Sequence, residues 1–190
     1  SYTDGTVIAN SSNDVGGLIG ENNGTIAETY ALGTINGSDR VGGLVGSNGG
    51  TIDEAFAVGE VVGASHVGAL VGYNTDDVTH SYWNETVEAS SAIGDSGKKN
   101  EAFPRNTSQM QDLNATVYLQ NLTFDNRTSA GPWVPQGSDY PTFAWDTQPD
   151  DVAGAYDQIV AGDGSAGDEY QITTVYELQR IDQHLNDDDE

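Results

Sequence analysis

Short apolar runs recur at a fixed spacing in the first half of the chain. The runs Val15–Gly20, Val41–Gly46 and Val67–Gly72 share one pattern and start at equal intervals. Each is followed, at matching distances, by an asparagine, an aliphatic residue and an aromatic residue: Asn22, Asn48 and Asn74; Ile26, Ile52 and Val78; Tyr30, Phe56 and Tyr82. A fixed period of this length is typical of proteins built from stacked repeats. The opening residues fit the same pattern, so we expect the chain to begin within a repeat.

The repeats predict strands rather than helices. Their apolar runs are short, rich in β-branched residues and separated by turns such as Asn23–Gly24 and Asn48–Gly49. None of the runs has helical periodicity. With one set of strands per repeat, each strand would pair with its equivalent in the next repeat. The sequence therefore predicts an all-β fold, a parallel β-solenoid (β-helix) with one coil per 26-residue repeat.

Equivalent positions in successive coils of such a solenoid lie about 4.8 Å apart and form ladders. We predict apolar ladders, an aromatic ladder and an amide ladder: Val15/Val41/Val67, Leu18/Leu44/Leu70, Ile26/Ile52/Val78, Tyr30/Phe56/Tyr82 and Asn22/Asn48/Asn74. The structural residues of the repeat are its glycines and leucines: Gly16, Gly17, Leu18, Gly20, Gly42, Gly43, Leu44, Gly46, Gly68, Leu70 and Gly72. Glycine permits a tight corner or a close approach of another backbone segment. Ala69 replaces the second glycine in the third run, which marks Gly68 as the more demanding position.

A glycine-rich phosphate site is the competing interpretation of these runs. Such sites need a Lys-Ser/Thr pair or a following amphipathic helix, and neither follows any of the three runs. We therefore interpret the glycines as architectural.

The repeated phrase resembles a known family motif. A Gly-Leu-aliphatic-Gly core, preceded by Val-Gly and followed by Asn and then Thr-Ile, resembles the GLUG motif of large secreted adhesins and surface proteins of bacteria and archaea. The phrases at 15–20 and 41–46 fit fully, and the third departs only at Ala69. The resemblance covers roughly half of the chain. It implies a β-solenoid on a cell surface and no catalytic residues.

The sequence predicts four segments. Residues 1–87 are the coils, and residues 88–145 are a glycosylated cap rich in aromatic residues, in which 89–97 is a loop because the periodicity stops at Asn84. Residues 146–168 form a linker. Residues 169–190 contain a short amphipathic helix with a capping box at Thr174–Glu177, which would open or dock to a further module.

Composition restricts the partners and the habitat. Thirty acidic residues against six lysines and arginines give a formal net charge of −24, which repels nucleic acid and anionic lipid surfaces. Molar salt shortens the screening length to roughly 3 Å and removes most of the self-repulsion. We therefore expect a salt-adapted organism of the haloarchaeal type. The chain has no cysteine and no apolar run near the ~20 residues of a bilayer span, so we expect neither disulfides nor direct membrane insertion.

Eight Asn-x-Ser/Thr sequons predict a glycoprotein. They are Asn10, Asn23, Asn36, Asn84, Asn106, Asn114, Asn121 and Asn126. Chance is the alternative, since a chain rich in Asn, Ser and Thr produces sequons freely, but four of them cluster between Asn106 and Asn126. Asn10 and Asn36 precede equivalent runs and are expected on adjacent coils, where two glycans would crowd.

Catalysis is the weaker interpretation. Parallel β-helices can carry polysaccharide lyases and glycosidases, which need two carboxylates about 5–10 Å apart. The candidates are Glu28 and Glu54, at equivalent positions in adjacent coils, together with Asp53 and Glu60. An acidic, solvated face explains them more simply. His66 and His80 lack zinc-site spacing, and no Gly-x-Ser-x-Gly elbow is present. We expect no enzyme, no cofactor and no metal.

The aromatic residues after the coils have two interpretations. They are Tyr82, Trp83, Phe124, Trp133, Tyr140 and Trp145. A stacking platform for sugars is one, and packing in the core of a small cap is the favoured one. The terminal acidic run Asp187–Glu190 is interpreted as a solvated tail rather than a calcium site.

Three functions remain from different classes. The first is a non-catalytic, extracellular cell-surface glycoprotein module with an adhesive or structural role. The second is a subunit of an extracellular filament or virus spike that assembles head to tail. The third is a carbohydrate-active enzyme. The expected partners are other copies or modules of the same protein, and cell-surface glycans or proteins.

Overall fold

The computed structural model describes residues 1–87, 91–98, 100–111, 114–124, 131–136 and 139–144. The predicted linker at 146–168, the predicted helix at 169–190, the sequon at Asn126 and Trp145 lie outside the described residues. The chain divides into two compact units, Ser1–Met110 with Asn114–Thr123, and Gln111–Leu113 with Phe124–Glu190.

The first unit consists almost entirely of short strands. In chain order they are β1 (Tyr2–Thr3), β2 (Val7–Ile8), β3 (Asn13–Gly16), β4 (Ile19–Asn22), β5 (Thr25–Ala31), β6 (Ile35–Asn36), β7 (Asp39–Gly42), β8 (Val45–Asn48), β9 (Thr51–Ala57), β10 (Val61–Val62), β11 (Ser65–Gly68), β12 (Val71–Asn74), β13 (Val78–Asn84), β14 (Ile93–Ser96) and β15 (Asn100–Arg105). Two short helices follow, α1 (Thr107–Met110) and α2 (Asn114–Tyr118).

The strands form four parallel sheets, one for each strand position in the coil. Their spatial orders are β1-β5-β9-β13-β15, β10-β6-β2, β11-β7-β3 and β14-β12-β8-β4. Register partners in the repeated coils are the equivalent residues of successive repeats, as in Val15 with Val41 and Asn22 with Asn48. The predicted all-β parallel solenoid is therefore confirmed.

The core of the solenoid is made of the predicted ladders. Leu44, Ile52 and Leu70 are completely buried, and Ile26 and Val78 nearly so. The ladder positions are also joined through the backbone: the amide of Leu18 donates to Leu44 O, that of Leu44 to Leu70 O and that of Leu70 to Ala92 O, each at 2.9 Å. The leucine positions thus contribute both apolar side chains to the core and backbone hydrogen bonds between coils.

The aromatic ladder is stacked. The rings of Tyr2 and Tyr30 lie 4.8 Å apart with an interplanar angle of 11°, and those of Tyr30 and Phe56 lie 5.0 Å apart at 4°. Tyr82 is in register with Phe56 on the next coil. The coil spacing of about 4.8 Å holds these rings face to face, closer to a parallel stack than isolated aromatic pairs prefer.

The asparagine ladder forms as predicted. Nδ2 of Asn22 donates to Oδ1 of Asn48 at 2.7 Å, and Nδ2 of Asn48 donates to Oδ1 of Asn74 at 2.8 Å. All three residues are at most 5% exposed. Oδ1 of Asn22 also accepts the amide of Gly24 at 3.1 Å, which fixes the turn. Nδ2 of Asn22 and of Asn48 is satisfied by the next coil, and Nδ2 of Asn74 donates to Asp76 O at 2.7 Å, so burial of these amides carries little penalty.

The glycines are required by close approach of backbone. A Cβ at Gly16 would lie 2.1 Å from Ile19 O, and a Cβ at Gly17 would lie 2.3 Å from Gly43 O on the next coil. A Cβ at Gly68 would lie 2.0 Å from Val71 O, which supports its assignment as a demanding position. Ala69 takes the place of the second glycine in the third run. Its amide donates to Ser91 O, and Ser91 belongs to the next coil, which has a different spacing.

The prediction that residues 89–97 form a loop is wrong for its second half. Ile93 pairs with Val71, and Ser96 pairs with Asn74, so β14 continues the solenoid by another coil. β15 continues the same coil against β13. Sequence periodicity did not reveal this coil because the step from Val71 to its partner Ile93 is shorter than the regular step from Val45 to Val71. The phrase Ala92-Ile93-Gly94 still matches Leu70-Val71-Gly72.

The second unit contains a short antiparallel pair, β16 (Trp133–Val134) and β17 (Thr142–Phe143). The rings of Trp133 and Phe143 lie 4.7 Å apart, and Phe124 forms an isolated bridge with Trp133. All three side chains are buried. For these residues the packing interpretation is confirmed.

The ladder assignment predicts the effect of a buried charge. Leu44→Asp should lower the free energy of unfolding by several kcal/mol, because an unpaired carboxylate would replace a fully buried side chain. The measurement is thermal unfolding in molar salt, followed by circular dichroism. Val62→Asp is the matched control, since Val62 lies in the neighbouring coil and is 43% exposed. Equal melting temperatures for the two variants would contradict the assignment.

Candidate functional site

Within the described ranges, six polar or charged residues adopt a left-handed backbone conformation, which residues other than glycine rarely adopt. They form two rows with the period of the coils: Asp14, Arg40 and His66 with φ of 56°, 50° and 48°, and Glu28, Glu54 and His80 with φ of 52°, 48° and 47°. Such a conformation costs on the order of 1–3 kcal/mol per residue. Its repetition in successive coils shows that it belongs to the coil geometry and is not confined to one active site.

The candidate carboxylates lie on adjacent coils as expected. Ala27 pairs with Asp53 and Thr29 with Ala55, so Glu28 lies beside Glu54. The two side chains have different surroundings. Oε2 of Glu54 accepts the amide of Thr123 at 2.9 Å and its Oε1 accepts the Thr123 hydroxyl at 2.8 Å.

Asp53 is also committed to neighbouring side chains. Its Oδ1 accepts the hydroxyl of Thr79 at 2.8 Å and lies 2.7 Å from Nδ1 of His80. Glu60 is exposed, and its backbone oxygen accepts the amide of Ile35 on the preceding coil. Two of the four candidate carboxylates, Asp53 and Glu54, are thus engaged by hydrogen bonds within the first unit.

Ser65, His66 and Asp39 come together without forming a catalytic triad. Oδ1 of Asp39 accepts the Ser65 hydroxyl at 2.5 Å and lies 2.6 Å from Nδ1 of His66. The hydrogen bond from Ser65, followed by that with His66, lowers the pKa of Asp39 below its ordinary value. In a triad the serine hydroxyl donates to the imidazole. Here it donates to the carboxylate, so the three side chains lack the hydrogen-bond order of a triad.

The described residues contain no group of three histidine, aspartate or glutamate side chains that could hold a metal ion. Within the same ranges, no helix is long and apolar enough to cross a membrane.

A pocket of about 190 Å³ opens on the side of the first unit. We call it the aromatic pocket, and its lining residues are Tyr82, Phe103, Arg105, Val117, Tyr118, Gln120 and Asn121. The last two coils supply the first three, and α2 with the segment after it supplies the others.

Arg105 is held in place at the wall of the aromatic pocket. Its Nε donates to Tyr118 O at 2.8 Å and its Nη1 donates to Pro104 O at 2.7 Å. The guanidinium carbon lies 5.2 Å from the centre of the Tyr82 ring and 5.9 Å from that of Phe103, within the range of cation–π attraction. A cation is thus fixed beside two aromatic rings in a strongly acidic chain.

The segment that carries Asn121 is anchored to the solenoid. Leu119 and Leu122 are buried, the amide of Asn121 donates to the Tyr82 hydroxyl at 3.1 Å, and Thr123 is bound by Glu54. Burial raises the pKa of Tyr82, so its phenol stays neutral at ordinary pH. These contacts leave the Asn121 side chain exposed at the pocket rim.

The described residues that were named for a sugar platform are all buried or half-buried. Tyr82 is 1% exposed, and Trp83 and Tyr140 are half-buried. Of the aromatic residues that line the pocket, Phe103 and Tyr118 are the accessible ones, at 36% and 40% exposure. Sequence reasoning missed both. The only available signal was the sequon Asn121, which closely follows Tyr118.

The structure separates the sequons by accessibility. Asn10, Asn23, Asn114 and Asn121 are exposed, and Asn36 and Asn106 are half-buried. Asn84 is fully buried, its Nδ2 donates to the Thr107 hydroxyl at 2.9 Å and its Oδ1 accepts the amide of Thr86. A glycan on Asn84 would break these contacts.

Asn10 and Asn36 do lie in adjacent coils, but they are not in register. The partner of Asn36 is Ile8, and the two extra residues of the first coil fall at the turn after Ala9. Asn10 therefore lies two residues past the partner of Asn36, in the longer turn.

The chain matches no family model, no curated protein and no solved structure.

The contacts of Glu54 predict a difference between the paired carboxylates. Glu54→Gln should lower the melting temperature by about 2–4 °C, because an amide supplies one acceptor oxygen where the carboxylate supplies two for Thr123. Glu28→Gln is the matched control, since its carboxylate makes no hydrogen bond to the described residues. Thermal unfolding of both variants is the measurement, and an equal loss in both would contradict this role for Glu54.

Proposed function

We propose that this chain is a non-catalytic, glycosylated module of an extracellular cell-surface protein, with a structural or adhesive role. The observation that carries the proposal is that the polar side chains recurring from coil to coil form contacts between the coils. The asparagine ladder and the pairs Asp14–Arg40 and Asp53–His80 join one coil to the next. Polar residues that repeat with the coil thus stabilise the stacking of one coil on the next.

The exposed sequons support the glycoprotein part of the proposal. Asn10 and Asn23 lie at turns of the coils, and Asn114 and Asn121 lie at the start of α2 and after it. Glycans at these positions would not disturb a ladder. Asn84 is not among the positions that we propose to be occupied.

The resemblance to GLUG repeats supports the cell-surface part. The residues of that motif are the glycines and leucines that allow the coils to approach closely and that fill the core. A continuous stack of this kind holds whatever it carries at a fixed distance from its attachment. We propose other modules or copies of the same protein as its neighbours.

Surface location and glycosylation can be tested together. Intact cells of a native-type host should expose the protein to a membrane-impermeant biotin reagent. The purified protein should have an intact mass above that of its polypeptide, by whole glycan units. A cytoplasmic protein serves as the labelling control. An unlabelled protein with the bare polypeptide mass would contradict the proposal.

Electron microscopy should show single extended particles, whereas ordered filaments would favour a polymerising subunit.

Salt adaptation predicts that screening stabilises the fold. The melting temperature should rise steadily from about 10 mM to molar potassium chloride, because screening of the −24 charge lowers the self-repulsion of the compact state. Sucrose of equal osmolality is the control, since it stabilises by exclusion without screening charge. If sucrose and salt act equally, charge screening is not the cause.

A further inference from the structure

We propose that Asn121 carries an N-linked glycan whose first sugar residue packs into the aromatic pocket. The inference rests on the proposed function, because it requires a glycosylated protein. It goes beyond that proposal by naming one glycosylated sequon, Asn121, and the pocket that holds its first sugar.

The pocket lies where the first sugar would be. The Asn121 side chain is exposed, lines the pocket and makes no hydrogen bond to the described residues, so its Nδ2 is free for substitution. Its backbone is fixed by the hydrogen bond to Tyr82. A sugar on Nδ2 therefore starts at the pocket rim, and the covalent link gives it a high effective concentration there.

The size and chemistry of the pocket fit a monosaccharide unit. Its volume of about 190 Å³ is below the ~300–1,000 Å³ typical of sites for larger ligands. Phe103 and Tyr118 are partly exposed, and the negative potential of an aromatic face attracts the C–H bonds on one face of a pyranose ring. Arg105 and Gln120 supply donors for the sugar hydroxyl and acyl oxygens.

Exposed apolar residues gather at a second sequon as well. Ile8, Asn36 and Val62 are in register on three successive coils, so Asn36 lies between two apolar side chains that are 69% and 43% exposed. Seven large apolar side chains of the described residues are exposed, and five lie at these two sequons: Ile8, Val62, Phe103, Val117 and Tyr118. Apolar surface left open by the fold is thus concentrated where a glycan could cover it.

The modification is a group transfer from a phosphate-linked lipid sugar donor. A bond forms between Nδ2 of Asn121 and the anomeric carbon of the sugar, while the bond from that carbon to the donor phosphate oxygen breaks. The phosphate leaves with the electron pair, and the amide proton passes to a base of the transferase. Because the Thr123 hydroxyl of the sequon is held by Glu54, transfer precedes docking of this segment.

The test begins with occupancy. The full chain, purified from a glycosylating, salt-tolerant host, is digested, and each sequon peptide is measured by mass spectrometry. We expect a glycan on Asn121. A bare Asn121 beside occupied Asn23 or Asn114 would overturn this inference and leave the proposed function standing. If every sequon is bare, both fail.

Packing of the sugar is tested by a double-mutant cycle in melting temperature. Asn121→Gln should lower the melting temperature by about 2–4 °C in the native background and by much less in a Tyr118→Ala background, where the platform is gone. Tyr118→Ala keeps the backbone oxygen that binds Arg105. Asn23→Gln removes an exposed sequon outside the pocket and should show no such coupling.

An equal loss in both backgrounds would overturn the packing of the sugar on Tyr118. A bare Asn121, with a melting temperature raised by added methyl glycosides, would also overturn the proposal, since the pocket would then bind a free sugar. In the glycosylated protein, the proton resonances of the first sugar should shift upfield through the ring current, and the shift should disappear in Tyr118→Ala.

Discussion

The parallel pairing of each strand with its equivalent in the next coil is the constraint on which the rest of the structure depends. At the leucine ladder the same residues bury their side chains and pass backbone hydrogen bonds from coil to coil, from Leu18 to Leu44 and on to Leu70. A shift of register by one residue would expose every buried position and bury its polar neighbours. The chain length between equivalent residues can therefore vary at the turns, and within a strand only where a bulge takes up the difference.

The length differences between coils appear where this constraint allows them. The first coil has its extra residues at the turn that carries Asn10, and the last coil is shortened between the paired residues Val71 and Ile93. The strands keep their pairing through both changes, although the register of β13 with β15 shifts between Val78 and Ser81. The exact repeat predicted the ladders, including the asparagine amides, because periodicity reports equivalent positions directly. The shortened coil was missed because its sequence step departs from the regular repeat, although its strand still pairs with the preceding coil.

The aromatic pocket could not be predicted from the sequence. Phe103 and Tyr118 are brought together by a segment that folds back over the coils, held by Thr123 on Glu54 and by Asn121 on Tyr82. No local pattern reports such a contact. The left-handed positions were equally hidden, since Asp14, Arg40 and His66 share neither charge nor size and are linked only by their spacing. The exposed sequons, in contrast, could be read from the chain, although the burial of Asn84 could not.

The asparagine ladder has a direction. Each amide donates toward the C-terminal coil and accepts from the N-terminal one, from Asn22 to Asn48 to Asn74, and the last amide turns to the backbone oxygen of Asp76. Every joint between two asparagines is chemically the same. A gene could therefore gain or lose a whole coil at such a joint without creating a new kind of contact. This makes the length of the stack a quantity that evolution can change in single steps.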